Sequence, residues 1–468
     1  MGRPEPPAGL HPSGDAGLLR PAALRRARDP RPRALPPLQL AHGAADHARP
    51  DAGLRPRGGQ RRHGLPASGA GPELLSDLRR GGTRAAAHER GCAGRAADHA
   101  ARRLTPVAAG AGPLRVLALV PYPTGRVPGQ RYRIEQWAPL LRAARIELTF
   151  SPFLSSLGMD VLYRRGRAAT KLRETAGGHL RRLAELGRLA GHDVAYVFRE
   201  AALLGPAWME RRMAGRLPIV FDFDDAIYLP AHAEANRAVR FLKRPGKAAE
   251  LCRLARHVTV GNETLAAFAR LHASAVTVVP STIDTEAYVP RERPPNPRPV
   301  VGWTGSATTV PYLRALAGAL VRLGQRVDYE LRVIGGEVDI PGVRVSCRPW
   351  RPETEVEDLR VLDVGLMPLP DDEWTRGKCG MKALQYMGLA IPPVVSPVGV
   401  NAEIVRDGAS GFHARSEEEW VERIALLLRD RDLRARMGGE ARRTVEERYS
   451  ARVQAPRMAR VLREAAGR

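Results

Sequence analysis

The stretch RGKCGMKALQYMGLAIPPVVSPVGVNAEIVRDGASG, residues 376–411, is the part of the sequence that decides the fold. It follows an apolar run that ends at Met367, and it opens with a loop that contains two glycines. The helical pattern Lys378–Gly388, the short apolar run Val394–Val395 and a turn at Gly399 come next. A strand, a loop, a helix and a second strand in this order are typical of a βαβ unit in a parallel sheet.

The same alternation extends from residue 113 towards the C-terminus. We interpret the segments Gln130–Ala144 and Tyr312–Leu323, which have helical periodicity, as helices, and residues 416–466 as mostly helical and charged. Strand-like apolar runs lie at Leu114–Val120, Ile146–Phe150, Val194–Phe198, Ile219–Phe223, Val258–Val260, Val276–Val279, Val300–Trp303, Leu331–Ile334, Val343–Ser346 and Val361–Met367. Strands that alternate with helices predict α/β domains with helices on both faces of a parallel sheet.

A proline-rich segment, Arg291–Pro299, divides this alternation. It holds four prolines in nine residues, which neither a helix nor an inner strand tolerates. We therefore predict two doubly wound Rossmann-like domains, residues 113–290 and 300–447, with a linker at 291–299 and a C-terminal helix at 448–468. Because ligands of open α/β sheets bind beyond the carboxyl ends of the strands, the cleft between the domains is the expected site.

Residues 1–112 differ in composition from the rest of the chain. They contain 19 Arg and 14 Pro but no Phe, Tyr, Trp, Ile, Lys or Asn. Such a segment buries too little apolar surface to offset its ordering entropy, so we predict a disordered extension. The alternative is non-coding sequence translated from a start placed too far upstream, because the missing residue types have AT-rich codons.

The formal net charge of +24 favours polyanionic partners such as nucleic acid, an anionic membrane or phosphorylated substrates. The basic stretches after residue 112 lack interleaved aromatic residues, so we expect no nucleic acid partner and leave peripheral contact with an anionic membrane open. The four cysteines, Cys92, Cys252, Cys347 and Cys379, form no C-x-x-C pair and have no metal-ligand spacing. We expect no metal, no cofactor and a cytoplasmic location, with contact at the inner face of the membrane left open.

The segment VGWTGSATT, residues 301–309, places a tight turn at the end of a predicted strand. Gly305 forms the turn, and the hydroxyl of Ser306, Thr308 or Thr309 can cap the helix that follows. Backbone N–H groups and a positive helix end above a strand suit a phosphate group. The alternative is an ordinary capped turn without a ligand.

Three cations, Arg376, Lys378 and Lys382, stand at the start of the helix in the opening stretch. Lys378 and Lys382 are four residues apart in the predicted helix Lys378–Gly388, so we expect them to share a helix face. Positive charge at a helix N-terminus opposes the macrodipole, and a bound diphosphate would offset that cost. The alternative is a solvated basic loop.

Glu403 is a candidate on the next loop. The predicted strand ends at Ser396, Gly399 supplies a turn, and Glu403 lies early in a short helix. Its carboxylate could accept hydrogen bonds from ribose hydroxyls, or it could be a favourable first-turn glutamate without a ligand.

Candidate acceptor-side residues lie in the first domain. The run Ile219–Phe223 leads into the carboxylates Asp222, Asp224 and Asp225, which we expect to orient an acceptor hydroxyl or to accept its proton. The alternative is an acidic turn that caps the next helix. Further strand-end or helix-start candidates are Arg199, Glu200 and the segment Gln130–Arg133.

The segment Lys378–Phe412 resembles the C-terminal domain of the family 4 (group 1) glycosyltransferases. That family shares a helix ending in E-A/Y-M-A-x-G-x-P-V-V-A-S, followed by G-x-x-E-I-V-x-x-G-x-x-G-F/L. The counterparts here are QYMGLAIPPVVS at 385–396, GVNAEIV at 399–405, Asp407-Gly408 and Gly411-Phe412. The resemblance covers roughly residues 113–460 and implies a GT-B fold, a nucleotide-sugar donor bound by the second domain, and retention of anomeric configuration.

Two departures from the family pattern concern the donor. The family usually carries two glutamates eight residues apart, for the donor sugar and the ribose, and these positions are Gly377 and Gln385 here. The resemblance implies that Gln385 binds ribose hydroxyls as a neutral amide. Many members also carry an Arg and a Lys after the first strand of this domain, where the turn at Gly305 has neither, so Lys378 and Lys382 are the candidates for that role. The chain resembles a divergent branch of the family.

The D-x-D pattern of Asp222-Phe-Asp224 resembles the metal-binding motif of the other glycosyltransferase fold. We give it less weight, because the surrounding pattern resembles the GT-B kind, in which protein cations and helix ends usually neutralise the leaving group.

We predict a glycosyltransferase that moves a sugar from a nucleotide-diphosphate sugar to a hydroxyl of a glycan, a lipid-linked molecule or a small molecule. Asp224, Asp225 and Lys382 are the predicted catalytic residues. The predicted donor-binding residues are Gly305, Ser306, Thr308, Arg376, Lys378, Lys382, Gln385 and Glu403. The alternatives are a GT-B sugar-nucleotide 2-epimerase, a family member that binds the donor without turnover, and a non-enzymatic binder of nucleic acid or an anionic membrane surface.

Overall fold

The structure, a computed structural model, describes residues 112–162, 164, 166–229 and 246–468. The predicted disordered extension lies outside these residues, apart from Gly112. The described part contains two six-stranded sheets, and every pairing between their strands is parallel. The prediction of two doubly wound α/β domains is therefore confirmed.

The first sheet has the strand order β2-β1-β3-β4-β5-β6. Its strands are β1 (Leu114–Val120), β2 (Ile146–Pro152), β3 (Val194–Phe198), β4 (Ile219–Phe223), β5 (His257–Val260) and β6 (Val276–Val278). All residues of β3 and β4 are buried, as expected for inner strands covered on both faces. The order of winding reverses between β1 and β3, which makes that point the switch point of the sheet.

Seven helices accompany the first sheet within the described residues. They are α1 (Pro128–Arg133), α2 (Ala138–Ala143), α3 (Ser156–Leu162), α4 (Ala168–Arg188), α5 (Trp208–Ala214), α6 (Lys247–Leu254) and α7 (Glu263–Arg270). The predicted single helix Gln130–Ala144 is instead α1, a 3-10 turn and α2. Pro139 explains the break, because it lacks the N–H that a continuous helix would need and it lies at the start of α2.

The second sheet has the strand order β12-β11-β10-β7-β8-β9. Its strands are β7 (Val300–Thr304), β8 (Glu330–Ile334), β9 (Val345–Arg348), β10 (Val364–Met367), β11 (Pro393–Val395) and β12 (Phe412–His413). Read from the other edge, this is the order 3-2-1-4-5-6 of a dinucleotide-binding fold, so the switch point lies between β7 and β10. The short strand β12 was not predicted from the sequence.

The helices that follow β7 in the chain are α8 (Val310–Arg314), α9 (Ala317–Arg326), α10 (Glu355–Arg360), α11 (Glu373–Arg376), α12 (Met381–Gly388), α13 (Asn401–Ile404), α14 (Glu417–Arg429), α15 (Arg431–Thr444) and α16 (Ala451–Ala465). The predicted helix Tyr312–Leu323 is two helices, α8 and α9. The predicted helix Lys378–Gly388 begins three residues later, at Met381, because Gly380 has a φ of 69° and a left-handed residue cannot continue a helix. None of the helices in the described residues is long and apolar enough to cross a membrane.

The C-terminal helix α16 returns to the first domain. Its residues Met458 and Leu462 are fully buried in one apolar cluster with Val116 of β1 and Trp137. The chain therefore crosses between the domains twice, once before β7 and once before α16.

Candidate functional site

The carboxyl ends of β7 and β10 lie side by side at the switch point of the second sheet. The chain leaves β7 towards β8 and leaves β10 towards β11, so the loops that follow these two strands diverge. Divergent loops leave a crevice above the strand ends, which is where open α/β sheets bind their ligands. The predicted turn at Gly305 follows β7, and the predicted cationic segment follows β10.

The turn after β7 is closed by hydroxyl groups. Ser306 N–H donates to Thr309 Oγ1 at 3.1 Å, and the hydroxyls of Ser306 and Thr308 are hydrogen-bonded at 2.8 Å. A Cβ at Gly305 would lie 2.4 Å from the ring of Trp303, so only glycine fits there. The predicted capping is wrong, since Thr309 is the N-cap of α8 and no side chain caps that helix. The exposed hydroxyls of Ser306 and Thr308 remain available to a ligand.

Lys378 and Lys382 have different partners, because Lys378 lies outside α12 and does not share a helix face with Lys382. Lys378 Nζ lies 3.2 Å from Asp225 Oδ1 and 5.0 Å from the centre of the Trp374 ring. Lys382 is half-buried with its Nζ 5.6 Å from the centre of the Trp303 ring, and it makes no ion pair within the described residues.

The pKa values of the two lysines follow from these partners. Burial lowers the pKa of Lys378, but the adjacent Asp225 carboxylate raises it, and the net pKa is above its usual range. Burial and the nearby Lys378 charge lower the pKa of Lys382 to about 8, and Asp225 offsets only part of this. A half-buried lysine without a counterion gains most from a bound anion. Lys382 is therefore the cation of this region that is prepared for an anionic ligand.

The N-terminus of α12 adds to this positive region. Among the described residues, no side chain caps the helix, and its first turn holds no acidic residue. The first N–H groups of a helix have no partner within the helix and carry its positive dipole end. Lys382 is the second residue of α12, so a group placed at this helix end would meet both the side chain and the dipole.

The acidic side of the cleft is neutralised by Arg199. Its guanidinium lies 2.7 Å from Asp224 Oδ1 and 2.6 Å from Asp225 Oδ2. Burial raises the pKa of Asp224 above its usual range despite Arg199. Burial also raises the pKa of Asp225, but Lys378 and Arg199 lower it further, so the net pKa is below the usual range. Asp225 is therefore the more exposed carboxylate of the two and the one with the lower pKa.

Arg199 adopts a left-handed backbone at the end of β3, with a φ of 59°. A non-glycine residue in this region carries strain, and such strain gathers at functional sites. The backbone of Arg199 donates to Asp222 O at 2.7 Å, which holds the residue between β3 and β4. The strained conformation turns the guanidinium towards both aspartates.

Short contacts connect the carboxyl edge of the first sheet to the carboxyl edge of the second sheet. Asn262, which caps α7, donates from Nδ2 to the carbonyl oxygens of Gly377 and Lys378, both at 3.0 Å. Cys379 Sγ donates to Asp224 O at 3.1 Å. A Cβ at Gly377 would lie 2.9 Å from the Cβ of Ala226. A side chain at position 377 would therefore push against the first domain, which explains why glycine fits there.

Asp222 and Arg133 do not face the cleft. Both side chains are fully buried and form a bidentate pair, in which Arg133 Nε donates to Asp222 Oδ2 at 3.1 Å. Thr259 also donates to Asp222 at 2.6 Å. The expectation that Asp222 and Arg133 would meet an acceptor is therefore wrong. Within the described residues, no group of three or more His, Cys, Asp or Glu side chains could hold a metal ion.

Gln385 lies in a second cluster that crosses between the domains. Its Nε2 lies 2.9 Å from Tyr132 Oη, 3.2 Å from Tyr288 Oη and 3.0 Å from Glu355 Oε1, so its two N–H groups are shared among these three oxygens. Glu355 also accepts from Arg131 at 2.6 Å. In this structure the amide of Gln385 is therefore bound to protein groups, whereas we expected it to bind a ribose. Tyr288 and Glu355 were not predicted as site residues. In the sequence, Tyr288 stands out only by lying just before the predicted linker, and Glu355 only as a glutamate at the start of a helix.

Arg376 and Glu403 lie away from Lys382. Arg376 is exposed and pairs with Asp371 at 2.7 Å. Glu403 is exposed on α13, and its charge acts on Tyr449, whose pKa is raised by burial and to a smaller extent by Glu403. Neither side chain contacts Lys378, Lys382 or the Gly305 turn in the described part of the chain. The structure therefore joins Lys378 to Asp225 and, through Arg199, to Asp224, and it places Lys382 and Gly305 against the ring of Trp303. Gln385 lies one turn after Lys382 on α12 but has the partners described above.

The cationic segment lies within a match to a known family. Residues 373–444 match the family described as glycosyl transferases group 1. The matched segment lies in the second domain. It contains Lys378, Lys382 and all of α12. A curated relative, D-inositol 3-phosphate glycosyltransferase of Nocardia farcinica, is 32% identical over 92 residues, which is 19% of each chain. The alignment thus spans less than a fifth of that relative.

Similar solved structures extend the likeness to both domains. Sucrose-phosphate synthase from Thermosynechococcus elongatus has a TM-score of 0.57 at 14% identity, over 75% of this chain and 98% of that one. A glycosyltransferase from Rickettsia africae has a TM-score of 0.54 at 12% identity, over 76% and 99%. HepE of Anabaena, in complex with UDP-glucose, has a TM-score of 0.53 at 14% identity, over 75% and 100%. The two-domain fold is that of the GT-B glycosyltransferases.

Proposed function

We propose that this protein is a glycosyltransferase that moves a sugar from a nucleotide-diphosphate sugar to an acceptor hydroxyl, with retention of anomeric configuration. One observation carries the proposal: Lys382, half-buried and without an ion pair in the described residues, lies at the uncapped start of α12 inside the matched segment. In this proposal the diphosphate binds between that helix end and the exposed hydroxyls of Ser306 and Thr308.

The proposed role of Lys382 is electrostatic. When the bond between the sugar and the diphosphate breaks, negative charge grows on the leaving phosphate. A fixed cation and the dipole of α12 stabilise that charge more than they stabilise the bound donor, which lowers the barrier. Because Lys378 pairs with Asp225 and Lys382 makes no ion pair in the described part of the chain, we assign this task to Lys382. The proposed mechanism needs no metal ion for the leaving group.

Asp225 has the proposed role of orienting the acceptor. It is the more exposed and the more readily ionised of the two cleft aspartates, and Arg199 and Lys378 fix both of its oxygens. An ionised carboxylate held in place can accept a hydrogen bond from a hydroxyl and aim its oxygen at the sugar. Asp224, bound to Arg199, positions that arginine.

Gln385 can bind a ribose only if its present hydrogen bonds are exchanged. Tyr132 and Glu355 come from different domains, so that exchange requires the domains to separate at this point. We therefore propose that the donor enters an opened cleft and that Gln385 changes partners from Tyr132 to the ribose. The contact of Asp225 with Lys378 would loosen in the same movement.

A thermal-shift screen of the full chain against UDP-, GDP-, ADP- and dTDP-sugars tests the proposal. A ligand that binds only the folded protein raises the melting temperature by mass action. UDP-sugars come first, because HepE, which has a similar fold, was solved with UDP-glucose. A stabilising donor is then incubated with its labelled sugar and a lipid and glycan extract, where transfer of label to the extract is the expected result.

Two outcomes would count against glycosyl transfer. Conversion of the labelled donor to a second nucleotide sugar without any extract would favour a sugar-nucleotide epimerase. No stabilisation by any of the four classes, together with no transfer, would contradict the proposal.

A further inference from the structure

Helix α4 turns three of its four leucines away from the domain that carries it. It is 21 residues long, and the residues that it buries are Gly178 and Arg182. Leu172, Leu180 and Leu183 are instead 72%, 65% and 44% exposed. A surface helix normally turns its leucines towards the core and its charges towards water. Leu186 packs against the apolar core of the first domain, whereas Leu172, Leu180 and Leu183 belong to no apolar cluster of the described residues and are open to an apolar partner.

The inward face of α4 is fixed by polar contacts. Arg182 donates to Ala201 O at 2.6 Å, Ser151 Oγ at 2.7 Å and Val120 O at 3.0 Å. A Cβ at Gly178 would lie 2.7 Å from the ring of Phe153, so the helix approaches the domain closely at that point. The helix cannot rotate to bury its leucines without breaking these contacts.

The leucines form one stripe with basic edges. At about 100° per residue, Leu172, Leu183 and Leu180 lie within an arc of about 80° on the outer face. Arg173 is exposed and lies about 20° from Leu180 around the helix. Arg188 is also exposed, but it lies further round, at the C-terminal end of the helix and 3.8 Å from Glu185. The two acidic residues of the helix are turned inward, where Glu174 accepts from Ser155 at 2.5 Å and Glu185 from Ser151 at 3.2 Å. The outer face is thus apolar in the middle and positive at its border.

Charge distinguishes between the possible occupants of this face. A second copy of this protein, packed through the same face of α4, would place arginines next to arginines, and their like charges would repel each other. The residues outside the structure are also basic, since residues 1–111 contain 19 Arg against 9 acidic residues and residues 230–245 contain four Lys or Arg against Glu234. An anionic surface with an apolar interior matches both the leucines and the arginines. A phospholipid bilayer has this combination at its headgroup boundary.

We propose that α4 binds the surface of an anionic phospholipid bilayer, with Leu172, Leu180 and Leu183 inserted at the boundary of the acyl chains. Arg173 and Arg188 lie beside the lipid phosphates. The helix then lies in the plane of the membrane and does not cross it. Vesicle binding needs neither a donor nor an acceptor, so this inference goes beyond the proposed reaction and is tested independently of it.

The test is co-sedimentation of the full chain with vesicles of phosphatidylglycerol and phosphatidylcholine, compared with pure phosphatidylcholine. We expect binding to the anionic vesicles only. The triple variant L172S/L180S/L183S is expected to need at least tenfold more lipid for half-maximal binding. These side chains are exposed, so the variant should melt at the temperature of the parent.

A matched control and a charge variant complete the experiment. L271S/L426S/V453S removes exposed apolar side chains elsewhere and should bind as the parent does. R173Q/R188Q should weaken binding to anionic vesicles and leave the melting temperature unchanged. Equal binding of parent and L172S/L180S/L183S would overturn the proposal and place membrane contact in the basic extension. Failure of the parent to bind vesicles, or a dimer that L172S/L180S/L183S dissociates, would also overturn it.

Discussion

The two domains meet at two polar junctions that differ in how their charges are used. The charged junction consists of Arg199, Asp224, Asp225 and Lys378. The hydroxyl–amide junction consists of Tyr132, Tyr288, Glu355 and Gln385, with Arg131 at its border. At the hydroxyl–amide junction, protein groups satisfy one another. The charged junction has Lys382 beside it, a cation without an ion-pair partner in the described residues.

The difference indicates a division of tasks. Groups that satisfy one another across an interface stabilise one arrangement of the domains, because parting them leaves buried polar atoms without partners. A half-buried charge without a counterion costs stability in the free protein and is compensated when an anion arrives. The hydroxyl–amide junction therefore favours closure, and the neighbourhood of Lys382 favours ligand binding.

The largest expected effect concerns Lys382. Removal of one fixed charge-stabilising group typically lowers turnover about 10²–10³-fold, and we expect this of Lys382→Ala. Its melting temperature should be unchanged or higher, because the substitution removes an uncompensated charge. Turnover is measured by steady-state kinetics with a donor found by the thermal-shift screen, and the melting temperature is measured by thermal unfolding. Full activity of Lys382→Ala would show that the diphosphate binds elsewhere.

Glu355→Ala tests the hydroxyl–amide junction. The substitution removes the acceptor of Arg131, Tyr132, Gln385 and Trp350. Because Arg131 retains some contact with water, we expect the free energy of unfolding to fall by about 2–3 kcal/mol, slightly less than for a fully buried pair. Urea unfolding measures it. Glu353→Ala, an exposed neighbour, is the matched control and should change the free energy of unfolding little. If Glu355→Ala were as stable as the parent, the hydroxyl–amide junction would not have the proposed role of favouring domain closure.

The pKa of Lys382 predicts a dependence of donor affinity on pH. Because that pKa is about 8 in the free protein, the lysine loses its charge as the pH rises from 7 to 9. If only the cation binds the diphosphate, donor affinity falls about tenfold over this range. Calorimetric titration at pH 7, 8 and 9 measures the change. Lys382→Arg stays charged and should give a flat profile.

Lys382 also makes the free energy of unfolding depend on pH, and this quantity rises with pH where donor affinity falls. The pKa of Lys382 is about 8 in the folded protein and has its usual, higher value in the unfolded chain. At a pH between these two pKa values, the unfolded chain therefore binds more protons than the folded protein. The contribution of Lys382 to the free energy of unfolding therefore rises from about pH 8 to about pH 10. Comparison of the parent with Lys382→Met by urea unfolding isolates this contribution, and a fall with pH would contradict the assigned pKa.

The smallest expected effect concerns Lys378→Ala in the charged junction. Its ion pair with Asp225 is half-buried, and Arg199 continues to hold Asp225, so the loss should be about 1 kcal/mol. Urea unfolding measures it against the parent. A loss of turnover as large as that of Lys382→Ala would assign the two lysines the same role.

The strands could be predicted from the sequence with little error. Val194–Phe198 and Ile219–Phe223 have the predicted bounds, because inner strands of a parallel sheet are continuous apolar runs. The start of α12 was missed, because the left-handed backbone of Gly380 cannot be read from a helical pattern. The cations and aspartates of the charged junction were predicted, since each follows a strand at the carboxyl edge.

The partners of the candidate residues could not be predicted. Arg133 and Asp222 are far apart in the sequence, and nothing local distinguishes a buried pair from two cleft residues. Gln385 was predicted to contact a ribose, but its hydrogen bonds in the structure depend on Tyr132 and Glu355 from other parts of the chain. Such contacts follow from the packing of domains, which periodicity and local motifs do not encode.

The two chain crossings between the domains are joined to each other. Ile283, on the way to the second domain, donates to Tyr449 O at 2.9 Å, and Ala451, on the way back, donates to Ile283 O at 2.9 Å. Two connections fastened together at one point act as a single pivot, so the domains can swing about it but cannot slide freely past each other. The charged junction and the hydroxyl–amide junction must then open in one coordinated rotation, and the arrival of a donor at one would be felt at the other.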